Sequence, residues 1–217
     1  AFKLNKWTPI GKLGQAYAGT FDGNGHTVNG VYVNDQNIGF AGFFGLIGDI
    51  NANNHYSGHV KNLTVGENSL ILGYKCGGSG STGGIAAMAM SIDTIANCVN
   101  RAAVVGRSSY VSFNSNASSV GMVGGIVGCM AGKAENCENY GTVVSDNYAG
   151  GIAGRNFGQI MMCTNSGDVN TYTEEVKLDI ENINLEKIRS AENTTDITDV
   201  GGVAGYSSGV LQDCTNS

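Results

Sequence analysis

The sequence predicts an all-β chain wound into a parallel β-helix, a solenoid of about six coils with three strands to a coil and insertions along one edge. Three observations carry this reading. A Gly-rich apolar block recurs five times, a second block follows each copy at a nearly constant distance, and Gly and Asn punctuate short apolar stretches that show no helical period. The first block reads Ala41-Gly42-Phe43-Phe44-Gly45, Gly83-Gly84-Ile85-Ala86-Ala87, Gly124-Gly125-Ile126-Val127-Gly128, Gly150-Gly151-Ile152-Ala153-Gly154 and Gly201-Gly202-Val203-Ala204-Gly205. The second ends on Leu63, Cys98, Cys137, Cys163 and Cys214, which follow the second Gly by 21, 14, 12, 12 and 12 residues.

A third apolar stretch completes each repeat, as in Ser69-Leu70-Ile71-Leu72, Ala102-Ala103-Val104-Val105 and Gly141-Thr142-Val143-Val144. The tightest repeat, Gly125 to Gly151, spans 26 residues, enough for three strands of four or five residues and three corners. Stacked coils put like on like at a spacing of ~4.8 Å, so about six coils stand roughly 25–30 Å tall. Phe43, Ile85, Ile126, Ile152 and Val203 then form one interior column, and Leu63 with the four Cys another. The Gly column (Gly42, Gly84, Gly125, Gly151, Gly202) marks corners needing positive φ or close backbone approach. Asn100, Asn139, Asn165 and Asn216 follow the Cys by two residues and predict an asparagine ladder at a corner, where Asn tolerates the left-handed conformation.

Composition excludes several classes. The 34 Gly among 217 residues are more than twice the ordinary share of about 7%, but with one Pro and no Gly-X-Y period the chain is not collagen-like. Apolar residues make up 41% against 14% charged, which suits a buried core and not a disordered tail. A net charge of −6 and a pI near 4.9 argue against nucleic-acid binding, which needs a basic stripe. Residues 171–199 hold eight acids against three bases, which is −5 of that charge. No apolar run approaches the ~18 residues of a membrane span. The opening Ala1 and the last residues Cys214-Thr215-Asn216-Ser217, which stop where earlier copies continue into a third strand, read as the ends of a fragment of a longer chain. Within it, 1–217 reads as a single domain with 170–198 as an insertion.

The Gly-Gly-Ile-Val-Gly and Gly-Gly-Ile-Ala-Gly blocks with Cys-x-Asn behind them resemble the GLUG-type repeats of bacterial surface proteins. The opening Trp7-Thr8-Pro9-Ile10-Gly11 and Gly19-Thr20-Phe21-Asp22-Gly23-Asn24-Gly25-His26-Thr27-Val28 resemble the first coil of the same proteins. The resemblance implies a right-handed helix in a secreted or cell-surface bacterial protein, described in many cases as an adhesin. Similar repeats flank the catalytic domain of some IgA-type metallopeptidases. The motifs are specific for fold and weak for function.

The candidate chemistry is thin. The six Cys show no CxxC and have no His at ligand spacing, and the column explains four of them as small buried hydrophobes. One disulfide between adjacent coils, or reactivity of Cys76 or Cys129, is the alternative. His55 and His59 are four apart but lack the Glu of a zinc-binding helix and sit in a Gly/Asn-rich insertion, so they read as solvated loop residues. Asp22 lies in a Gly-rich turn where Asp is common, and no pair of acids recurs at stacked positions to serve a polysaccharide hydrolase or lyase. Gly77–Thr82 lacks the Lys of a phosphate loop. The tripeptides beginning at Asn62, Asn116 and Asn193 fit the glycosylation pattern but carry little meaning in a bacterial protein. No enzyme activity, cofactor or metal is expected.

One feature points to binding. The insertions Gly73–Thr82, Gly106–Gly121 and Asn170–Thr198 all fall between the third stretch of one coil and the Gly block of the next, so they emerge along a single edge. Glu174 to Glu192 fits either a short amphipathic helix or a pair of extra strands. Tyr74, Tyr110, Phe113, Tyr148 and Tyr172 lie on or beside that edge. Exposed aromatics there stack on sugar rings or anchor a protein partner; the alternative is that they cap the hydrophobic ladders beneath. The expected function is a monomeric, non-catalytic module for cell adhesion that binds a host or matrix glycan or protein. The competing expectation is a polysaccharide-active β-helix enzyme or an accessory segment of a surface metallopeptidase.

Overall fold

Successive Gly blocks lie side by side. The computed structural model describes residues 3–48, 57–74, 80–90, 92–106, 121–145, 148–171 and 199–217. In it Gly83 pairs with Gly124, Gly124 with Gly150 and Gly150 with Gly201, all in parallel register. The described residues form an all-β parallel solenoid in which five sheets of six, five, five, six and six strands run along the stack.

One sheet takes Asn5–Lys6, Val31–Asn34, Leu70–Gly73, Ala103–Gly106, Val143–Ser145 and Val169–Thr171. The Gly block supplies the next two. Its first halves are Phe40–Ala41, Ser81–Gly83, Met122–Gly124, Tyr148–Gly150 and Val200–Gly201, and its second halves are Phe44–Ile47, Ala86–Ala89, Val127–Met130, Ala153–Asn156 and Ala204–Ser207. The Cys block supplies the last two. These are Gly19–Asp22, Gly58–Lys61, Thr94–Ala96, Lys133–Glu135, Gln159–Met161 and Val210–Gln212, then Thr27–Val28, Thr64–Val65, Val99–Asn100, Glu138–Asn139, Thr164–Asn165 and Thr215–Asn216.

A full coil therefore carries five short strands and not three, because two of the expected stretches are bent in the middle. In the Cys block the bend comes from a residue in the left-handed region just before the Cys. Asn62, Asn97, Asn136, Met162 and Asp213 have φ between 50° and 56°. Asn adopts this conformation at little cost, whereas Met162 holds it against its Cβ.

The asparagine ladder exists, but it lies within strands and not at a left-handed corner. Asn100 Nδ2 donates to Asn139 Oδ1, Asn139 Nδ2 to Asn165 Oδ1 and Asn165 Nδ2 to Asn216 Oδ1, each at 2.8 Å. The amides of Asn100, Asn139 and Asn165 also bracket the residue two positions on. Asn139 Nδ2 donates to the Gly141 carbonyl at 2.8 Å and its Oδ1 accepts the Gly141 N–H at 3.3 Å. Asn100, Asn139 and Asn165 are buried, and these bonds satisfy both polar atoms of each side chain.

The Gly column faces this ladder. Gly42, Gly84, Gly125, Gly151 and Gly202 are not among the glycines at positive φ, so the second of the two expected reasons for them holds. A Cβ on Gly84, Gly125, Gly151 or Gly202 would collide with the side chain of Asn100, Asn139, Asn165 or Asn216 respectively. Glycine is required there by close approach.

The interior columns follow the predicted register. Val60, Ile95, Ala134 and Ile160 stack and are fully buried, as are Ile85, Ile126 and Ile152. At the first coil Trp7 stacks on Phe43 with centroids 4.5 Å apart and donates its indole N–H to the Phe43 carbonyl at 2.9 Å, closing the core with Tyr17, Phe21 and Phe44. Asn170 and Thr171 pair with Val144 and Ser145, so both belong to the ladder and the insertion begins after them. The helix-or-strand segment Glu174 to Glu192 lies outside the described residues.

Candidate functional site

The apolar runs Leu70-Ile71-Leu72 and Ala103-Val104-Val105 bury both faces of their strands. Ile71, Val104 and Val143 point into the main core, while Leu70, Leu72, Ala103, Val105 and Val144 make a second cluster that the repeat analysis missed. Tyr74 packs against this second cluster with Tyr32. Its hydroxyl donates to Asn34 Oδ1 at 2.6 Å, and Asn34 Nδ2 donates to the Tyr32 hydroxyl at 2.5 Å. Tyr74 thus sits where a ladder-capping aromatic is expected. Tyr110, Phe113 and Tyr172 lie outside the described residues.

Tyr148 occupies a different setting. It opens the strand Tyr148–Gly150, in register with Met122 of the coil before. Across the Gly-block bend, Arg155 stands in register between Cys129 and Tyr206. The Arg155 guanidinium carbon lies 5.2 Å from the Tyr148 ring centroid, 4.7 Å from that of Phe157 and 4.9 Å from that of Tyr206. The rings touch each other as well. Tyr148 and Tyr206 are 5.9 Å apart at 56°, and Phe157 and Tyr206 are 6.3 Å apart at 57°.

Three rings around one cation replace the usual carboxylate partner. Each cation–π contact contributes ~0.5–1 kcal/mol when exposed and ~2 kcal/mol when desolvated. Among the described residues the Arg155 side chain makes no hydrogen bond and no ion pair, and its Nε is buried without a partner. A buried unpaired donor costs about 1–3 kcal/mol, so the rings offset a deficit that the guanidinium would otherwise meet with an acid. The side chain is half-buried, while Phe157 is 47% and Tyr206 39% exposed. The arrangement presents a held positive charge beside two exposed rings.

Of this group, only Tyr148 stands out in the sequence as an edge aromatic. Arg155, Phe157 and Tyr206 occupy the positions at which successive Gly blocks differ (Cys129-Met130, Arg155-Asn156, Tyr206-Ser207), and a search for repeated columns passes over them. Aligning the blocks and asking which variable positions share a register would have found Arg155 and Tyr206. A single-ring pair of the same kind, Arg101 over Tyr140 at 4.4 Å, has the Tyr140 hydroxyl donating to Glu138 at 2.8 Å.

The other candidates have structural surroundings. Asp22 Oδ1 accepts the Asn62 amide and the Asn24 N–H, both at 2.9 Å, and these bonds, with Lys61 at 3.3 Å, hold its carboxyl below the ordinary value. His59 Nδ1 meets the Thr94 hydroxyl at 2.7 Å; His55 lies outside the described residues. The five described cysteines are free thiols. Burial pushes Cys129 up to about 11 against the opposing charge of Arg155, which leaves it a poor nucleophile at neutral pH. Cys76 lies outside the described residues.

Comparison with known proteins agrees with this architecture. A family model described as the GLUG motif matches residues 145–170, a span that includes Tyr148, Arg155 and Phe157. The chain carries a GLUG motif. No curated protein matches. Among solved structures, the chain is similar to a putative immunoglobulin A1 protease from Bacteroides ovatus, with a TM-score of 0.55 and 20% identity over 96% of this chain and 56% of that one. The likeness is one of fold, and the chain spans little more than half the length of that protein.

Proposed function

We propose that the chain is a non-catalytic binding module of a secreted or cell-surface bacterial protein, acting in adhesion to a host or matrix glycan or protein. The observation that carries this reading is the outward-facing group of Tyr148, Arg155, Phe157 and Tyr206. Large exposed rings held against a rigid stack of strands lose little entropy on binding, and aromatic and arginine side chains dominate recognition surfaces. The solenoid suits such a role because stacked coils present side chains on a fixed frame.

The test is an array of glycans and matrix proteins probed with the chain and with a Phe157→Ala, Tyr206→Ala double variant. The reading expects one class of ligand to be captured by the chain and lost from the variant. Capture that is equal for both proteins would remove this face from the account.

A second reading, an accessory segment of a surface protease, is supported by the fold shared with the Bacteroides ovatus protein. It predicts that the chain binds a protease substrate without cleaving it. An array on which glycans bind and candidate substrate proteins do not would favour the first reading.

A further inference from the structure

Resting on that reading, we infer that the Arg155 group is a subsite for a glycan carrying a single carboxylate-substituted sugar, such as a terminal sialic acid. The guanidinium would meet the carboxylate while the Phe157 and Tyr206 rings meet the sugar. Four observations lead there.

Arg155 has no anion of its own among the described residues, although its charge is half-buried. A planar guanidinium matches a carboxylate with two parallel N–H···O bonds. Because Nε is buried, the terminal Nη groups are the pair that can meet a ligand.

The three rings hold the guanidinium in place before any ligand arrives. Binding then loses less side-chain entropy than it would with a free arginine.

The two exposed rings lie next to the charge. Phe157 and Tyr206 retain 47% and 39% exposure, and a pyranose joined to the carboxylate would cover apolar ring surface while its acid sits over Arg155.

The chain as a whole carries −6. A polyanion such as a sulfated or polyuronate chain would be disfavoured by that net charge, and a single arginine could not neutralise its many charges. One isolated acid on an otherwise neutral glycan is the ligand that a single held cation in an acidic protein can accept.

Two requirements follow for the ligand: one carboxylate, and a ring attached to it. Neutral glycans lack the first and acetate lacks the second.

The test compares sialyllactose, lactose and heparin as ligands for the full chain by calorimetry at low and moderate salt, with Arg155→Met, Arg155→Lys and Phe157→Ala variants. The inference expects sialyllactose to bind at least 10-fold more tightly than lactose or heparin. It also expects the preference to weaken with salt and to vanish in Arg155→Met. Arg155→Lys should lose severalfold, since an ammonium keeps the charge without the planar fork. Phe157 is exposed and supplies one of the three rings around Arg155, so Phe157→Ala should lower the thermal midpoint only slightly yet weaken sialyllactose; it carries the test if Arg155→Met does not fold. Equal binding of lactose and sialyllactose, tighter binding of heparin, or full affinity in Arg155→Met would overturn the inference. If lactose binds as well as sialyllactose and Phe157→Ala abolishes both, the binding-module reading stands and the acidic-sugar inference alone fails. If no glycan and no matrix protein binds, both fail.

Discussion

Gly125 lies against the side chain of Asn139 so closely that a single added Cβ would overlap both the Asn139 carboxamide and the Gly151 carbonyl. The contact repeats as Gly84 with Asn100, Gly151 with Asn165 and Gly202 with Asn216. It joins the first block of each repeat to the second across the interior. The Gly column and the Asn ladder are therefore one device, in which the missing side chain of one makes room for the hydrogen-bonded side chain of the other.

Gly125→Ala should accordingly destabilise the chain. The obstructing atoms belong to backbone and to a fully bonded amide, so neither yields cheaply, and overpacking of this kind costs roughly 1–3 kcal/mol or more. Urea unfolding measures it. Gly14, whose added Cβ would meet nothing within 4 Å but whose φ is +78°, is the control for conformational strain without collision.

Ladder position should grade the cost of losing an amide. Asn139 bonds Asn100, Asn165 and both polar groups of Gly141, whereas Asn216 has one ladder partner, Asn165. Asn139→Ala leaves several buried groups unpaired and should cost on the order of 3 kcal/mol, with Asn216→Ala well below it. Equal midpoint shifts for the two variants would count against the ladder as a stabilising element.

Thiol labelling tests the cysteine column. Cys98, Cys137 and Cys163 are fully buried, and Cys137, flanked by the other two, has its thiol pushed well up by them and by burial. Site-resolved labelling in native buffer should modify half-buried Cys214 first and leave these three intact until unfolding. Cys137→Ser should cost about 1–3 kcal/mol, and Cys137→Ala less. Rapid native labelling of Cys137 would break the register.

Asp93 should give the stability an unusual pH slope. Its buried carboxylate accepts the Gly58 N–H at 2.7 Å and the Met90 N–H at 2.8 Å, yet burial outweighs these bonds and raises its pKa above the ordinary 3.8. The folded chain thus holds this proton more tightly than the unfolded chain. Its contribution to stability is present in full below the unfolded value near 4 and is lost as pH rises through the folded one. Urea midpoints of the chain minus those of Asp93→Asn should fall as pH rises from about 4 into the neutral range. A difference that grows with pH would reverse the sign. The Asn variant should also be less stable throughout, since its amide can accept only one of the two N–H groups in the same way.

Much of the fold was legible because a solenoid repeats its interior: Ile126 over Ile152 and Cys137 over Cys163 announce columns without any knowledge of the corners. The corners were harder. That Asn136 and not Asn139 takes the left-handed turn depends on which residue faces inward, and the chain offers Asn at both places. The proposed binding face was hardest, since Arg155 and Phe157 stand outside the repeated columns. Only the register with Cys129 and Tyr206 and the approach of Tyr148 bring them together.

The central claim is that ligand is bound at Arg155 and its rings. Chemical-shift mapping of the arginine guanidinium and aromatic ring signals, during titration with whichever glycan or matrix protein the array selects, tests it most directly. The account predicts saturable shifts at Tyr148, Arg155, Phe157 and Tyr206, with Arg101 and Tyr140 unmoved. Saturable shifts confined to Arg101 and Tyr140, or to aromatics outside this group, would contradict it.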